Sequence, residues 1–194
     1  MRFPFKTVTL SVIIVSLVAI NYIACNKDNT TTSKTIIKCV SCANGGSCIN
    51  DTCRCPAGFE GTSCQTESII KFTESFNWEV TESGSLTGAD QYNINIEQNG
   101  TSLTTVLIYG LYSPYYFFSG SEGPLTANIN GDSIFIPSQA IDSGYIVGKG
   151  IYIPNTSGSS SIRFRYQVTN TVTGTTNDFG YANPANSPSI WTQN

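Results

Sequence analysis

Residues 91–109 read QYNINIEQNGTSLTTVLIY, and this stretch decides the fold class. Tyr92, Ile94 and Ile96 alternate with Asn93, Asn95 and Glu97. A period of two puts apolar side chains on one face of an extended chain and polar ones on the other. Asn99-Gly100 then supplies a reversal, and apolar character resumes from Leu103 to Tyr109, so the stretch predicts a β-hairpin.

The same pattern recurs on either side. Ile162, Phe164, Tyr166 and Val168 alternate with Arg163, Arg165 and Gln167. Asn130-Gly131-Asp132 separates Thr126–Ile129 from Ser133–Ile136, which predicts a second hairpin. Further strands are expected at Phe72–Val80, Tyr115–Ser119 and Gly144–Ile153, and no stretch of ten or more residues shows helical spacing. About eight short strands make an all-β domain, either a closed antiparallel barrel or a β-sandwich.

The order of these motifs (YNINI, TTVLIYGL, LTANINGDSIFIPSQ, GKGIYI, IRFRYQV) is similar to the calycin-like, lipocalin-type barrels of exported bacterial lipoproteins. That resemblance implies an antiparallel β-barrel over residues 68–194, with a β-sandwich as the alternative.

Upstream the chain changes character. Six of its seven cysteines lie between Cys39 and Cys64, spaced C-x2-C-x5-C-x4-C-x-C-x8-C. Six thiols this dense imply three bridges in an oxidising compartment, and spacing alone allows about fifteen pairings. Cys53-Arg-Cys55-Pro-Ala-Gly58-Phe59-Glu-Gly61-Thr-Ser-Cys64 resembles the closing half of an EGF-like domain, and Asn44-Gly45-Gly46-Ser47-Cys48 its middle loop. The resemblance implies an EGF-like module over 38–65, bridged Cys39–Cys48, Cys42–Cys53 and Cys55–Cys64. A zinc site built on Cys39 and Cys42 is the competing use of these thiols. It is disfavoured by the absence of histidine and the even cysteine count. The stretch Thr35-Ile36-Ile37-Lys38 before the first cysteine carries no carboxylate, so no calcium is expected.

The seventh cysteine, Cys25, follows Arg2 and Lys6, an apolar run from Thr7 to Ile23, and the small residue Ala24. A basic start, apolar core and small residue at the cut describe a secretory signal peptide. The run resembles a bacterial lipoprotein signal, although Tyr22 stands where that pattern prefers an aliphatic residue. The resemblance implies a signal peptide over 1–24 and acylation, for example with palmitate, at Cys25. A cell-envelope location on the outer membrane follows, possible exposure at the cell surface included. Residues 25–37, mostly polar and rich in threonine, would form a flexible tether. An uncleaved anchor is the alternative, but the apolar run is short for a spanning helix.

Composition narrows function. The chain has a formal net charge of −3 and only 12% charged residues, its ten basic residues being spread along it. Nucleic acid is therefore not an expected partner, because it requires clustered Lys and Arg. Histidine is absent, which removes the usual general base and the commonest metal ligand. Most of the ten carboxylates after Cys64 flank turns or fall on polar faces and are expected to be solvated, and no nucleophile elbow or phosphate loop occurs. No catalytic residue, metal or cofactor is expected. Trp78 and Trp191 are expected to fill the core. Tyr115, Tyr116, Phe117 and Phe118 are the candidate ligand-binding residues, against a buried strand as the other reading.

These features lead to a lipid-anchored, non-enzymatic envelope protein that presents a barrel on an EGF-like stalk for adhesion or partner binding. The partner would be a protein, a glycan or a small apolar ligand. A lipocalin-type carrier of a small apolar molecule is one alternative, and a carboxylate-based glycan hydrolase another.

Overall fold

The structure is a computed structural model, and it describes residues 39, 41–75, 77–84, 88–111, 123–142 and 144–194. Met1–Ile37 and Lys38–Asn194 are separate units, and the first lies outside the described residues. The expected signal peptide, Cys25 and the tether therefore lie there too.

The cysteine-rich stretch forms two small antiparallel ladders. β1 (Ser47–Ile49) pairs with β2 (Thr52–Arg54), and β3 (Phe59–Glu60) with β4 (Thr66–Glu67). The bridges are Cys39–Cys48, Cys42–Cys53 and Cys55–Cys64. So few residues cannot bury an adequate apolar core, and cross-linking takes that role.

A short helix, α1 (Ile70–Thr73), follows. The expected strand over Phe72–Val80 is thus only half correct. Phe72 turns inward from α1, fully buried, and its carbonyl accepts a hydrogen bond from Trp78 Nε1 at 3.0 Å. Extended structure begins at Trp78, because the residues before it lack clean alternation.

Eight strands then close an antiparallel barrel. They are β5 (Trp78–Gly84), β6 (Gly88–Gln98), β7 (Thr105–Tyr109), β8 (Leu125–Asn130), β9 (Ser133–Ile141), β10 (Gly144–Ile153), β11 (Ser161–Asn170) and β13 (Ser189–Gln193). Each pairs with its neighbour around the ring, and β13 joins β11 to β5. Closure excludes the sandwich. β12 (Thr176–Phe179) lies outside the ring, on the part of β11 that β13 leaves free. The 91–109 stretch forms the β6–β7 hairpin, but its connection runs over Asn99–Thr104 rather than two residues. The aromatic stretch Tyr115–Phe118 lies outside the described residues.

The alternation seen in sequence becomes inside and outside. Ile94, Ile96, Ile162, Phe164, Tyr166 and Val168 are buried, as are Trp78 and Trp191. Phe164 stacks on Trp191 at 4.2 Å, and Tyr166 on Phe179 at 4.3 Å. These rings fit because β10 turns glycines toward them. A Cβ on Gly148 would stand 2.5 Å from the Phe164 ring, and one on Gly150 2.6 Å from it.

The cysteine-rich module is seated on the barrel, both belonging to the same compact unit. A Cβ on Gly58 would stand 2.7 Å from Leu103 Cβ, so only glycine permits that approach. Lys71 bonds Glu60 of β3 and Asp132 of the β8–β9 turn, each at 2.6 Å. Burial by itself would lower the Lys71 pKa, but the hydrogen bonds to Asp132 and Glu60, with their charges, hold it above the ordinary lysine value.

Candidate functional site

Two regions of the barrel carry chemistry, one inside and one outside. The inner one is built by β5, β6 and β11. Tyr92 and Tyr166 both donate hydrogen bonds to Glu82 Oε1, the first at 2.6 Å. Glu82 and Tyr166 are fully buried. Glu82 overturns the expectation that the later carboxylates are solvated. Val80 and Trp78 share its face of β5, so the period of two carries it inward. Two phenol donors replace part of the water it loses.

Burial pushes the Tyr166 hydroxyl well above its ordinary pKa of 10.0, and the neighbouring Tyr92 and Glu82 add to the rise. The folded state therefore keeps a proton that the unfolded chain releases above about pH 10. Tyr166 costs no stability below that pH, and the fold loses stability as pH climbs past it. Urea midpoints should fall more steeply between pH 9 and pH 11 for the wild type than for Tyr166→Phe. Parallel midpoint curves for the two proteins would refute this account of the core.

The interior offers little room for a guest among the described residues, because Trp78, Trp191, Phe164 and Tyr166 project into it fully buried. The outer face of β9–β11 is different. An open groove of about 480 Å³ is lined there by Ser133, Phe135, Lys149, Ile151, Arg163 and Arg165, among others. Cross-strand register sets it in two rows. Ser133, Ile151 and Arg163 form one, and Phe135, Lys149 and Arg165 the other. Phe135 is 41% exposed and Ile151 51%, so apolar surface lies between the cations.

The charge pattern is unusual for this chain. After Lys71 it has only three basic residues, Lys149, Arg163 and Arg165, and all three line this groove. Lys149 and Arg165 are direct cross-strand partners, an arrangement that like charges oppose. None of the three forms a salt bridge among the described residues.

Their surroundings differ. Arg165 Nη1 donates to the carbonyls of Gly180 and Asn186 at 2.9 and 3.0 Å, which pins the loop after β12. Asp178 holds the same loop by accepting from the N–H groups of Tyr181 and Asn183 at 2.6 and 2.9 Å. Lys149 Nζ sits 5.2 Å from the centre of the Tyr181 ring. Arg163 has no hydrogen bond among the described residues and faces solvent.

Sequence reasoning missed this groove. Basic residues spread along a chain carry no sign of convergence. The one local clue was Arg163-Phe164-Arg165, since a strand puts residues i and i+2 on one face.

In the module, the sulfurs of Cys39, Cys42 and Cys53 lie within 4.8 Å of one another, yet each belongs to a bridge. A disulfide sulfur is not the thiolate that binds a metal.

The molecule is therefore a closed eight-stranded antiparallel barrel with a disulfide-stapled module and a cationic outer groove. No family model matches the chain, and neither a curated protein nor a solved structure matches it.

Proposed function

We propose that this is a lipid-anchored, non-enzymatic cell-envelope protein whose barrel binds a partner on its outer face. Export would remove residues 1–24, and acyl chains on Cys25 would hold the protein to the outer membrane. One acyl chain gives only marginal attachment, whereas two or three make it durable. The cysteine-rich stretch is read as an EGF-like module from its glycines and cysteine spacing. Three disulfides in so small a segment favour an oxidising compartment outside the cytoplasm.

The observation that carries the binding reading is the outer groove, where the three cations of the barrel strands converge without a carboxylate partner among the described residues. A carrier of small apolar molecules would need an open interior, and the large side chains packed there argue for the outer face instead.

Fractionation tests the anchor. Wild-type protein should sediment with membranes and be released by detergent, whereas Cys25→Ala should be recovered as soluble protein. Recovery of both in one soluble fraction would overturn anchoring and leave the groove to be judged on its own.

A further inference from the structure

We propose that the groove on β9–β11 binds an acidic polysaccharide, a glycan chain whose sugars carry carboxylates. The inference rests on the outer-face binding reading above and names its ligand class.

Three features select this chemistry. The guanidinium of Arg163, without a partner among the described residues, can grip a carboxylate with two parallel hydrogen bonds. Lys149 lies on the neighbouring strand, with Arg165 as its cross-strand partner. Adjacent strands lie about 5 Å apart, and alternate residues along a strand about 7 Å apart. Positive charge thus recurs over distances comparable with the repeat of a sugar chain. An anion in the groove would also relieve the repulsion between Lys149 and Arg165.

Phe135 and Ile151 supply the second feature. They expose apolar faces beside the cations, where the C–H face of a sugar ring can rest. Charge alone would not require them.

The third feature is shape. The groove is open and its floor is a sheet whose strands are all paired, so an extended peptide finds no free backbone edge to join. A chain that binds through its substituents is better suited. Anionic membranes are a poorer match, because they recruit clusters of about four to eight basic residues. This groove has three, on a protein of net charge −3.

The test uses the full chain in non-ionic detergent, with polygalacturonate as the acidic glycan. Dextran, poly-L-glutamate and phosphatidylglycerol vesicles serve as comparisons. Polygalacturonate should bind, with an affinity that falls as salt rises, and dextran should not. Arg163→Gln and Lys149→Gln should each weaken binding by about tenfold, the scale of one charge-assisted hydrogen bond. Both positions are solvent-facing, so both variants should stay folded with a cooperative thermal transition. Phe135→Ala should weaken the glycan while leaving any binding of poly-L-glutamate unchanged.

If poly-L-glutamate or the vesicles bind as tightly as polygalacturonate, the ligand class is wrong and only a general anion-binding surface remains. If the glycan binds equally well to the Arg163 and Lys149 variants, the groove is not its site. If polygalacturonate does not bind at all, the proposal falls, and the fractionation result on Cys25 is unaffected.

Discussion

Trp191→Ala is expected to lower folding stability by about 3–5 kcal/mol, the range for removing a large buried aromatic side chain. Trp191 is fully buried and stacked on Phe164. Its position adds to the loss. β13 is five residues long, yet among the described strands it is the one that pairs with both β11 and β5 and so completes the ring. Trp191 sits opposite Ile162 on one side and Val80 on the other. Truncation would leave a cavity along that seam, because the flanking strands are held by their other ladders and cannot collapse inward.

The buried Trp191 indole N–H has no hydrogen-bond partner among the described residues. Trp191→Phe removes that unsatisfied donor and should recover much of the loss, since an orphaned buried donor costs about 1–3 kcal/mol. Urea unfolding followed by far-UV circular dichroism measures both variants, with the fluorescence of Trp78 as an independent probe. A shift below about 1 kcal/mol for the alanine variant would mean that this seam is not tightly packed.

Reduction of the three disulfides is expected to unfold the 39–67 module while the barrel keeps its strands. The bridges close separations of 9, 11 and 9 residues. Chain entropy assigns each of them about 2.5–3 kcal/mol, and removal from a small domain typically costs about 2–5 kcal/mol. The two ladders of the module offer five cross-strand pairs between them, three in one and two in the other, which cannot offset that loss. The barrel has its own apolar core. Amide hydrogen exchange resolves the two parts: after reduction, residues 47–67 should exchange rapidly and β9–β11 should remain protected. Protection retained throughout the module would show that packing on Leu103 and the Lys71 ion pairs suffice to hold it.

The same split between local and distant causes governs what could be read in advance. The inward faces of β6 and β11 were legible because strand geometry fixes which residues share a side, and hydrophobicity fixes which side is buried. The β8–β9 hairpin was legible from its turn residues. β12 and β13 were not, since Thr176–Phe179 and Ser189–Gln193 are short and mostly polar, without a run of alternation. Phe72 was misread as strand for a related reason: a single helical turn has too few residues to show a period.

By itself the sequence determined an all-β chain with a cysteine-dense segment, because these properties depend on neighbours a few positions apart. Closure of the ring, the burial of Glu82 beneath Tyr92 and Tyr166, and the convergence of Lys149, Arg163 and Arg165 depend on residues brought together from distant strands. Register between strands is set by the packing of the whole barrel, so only the tertiary structure decided them.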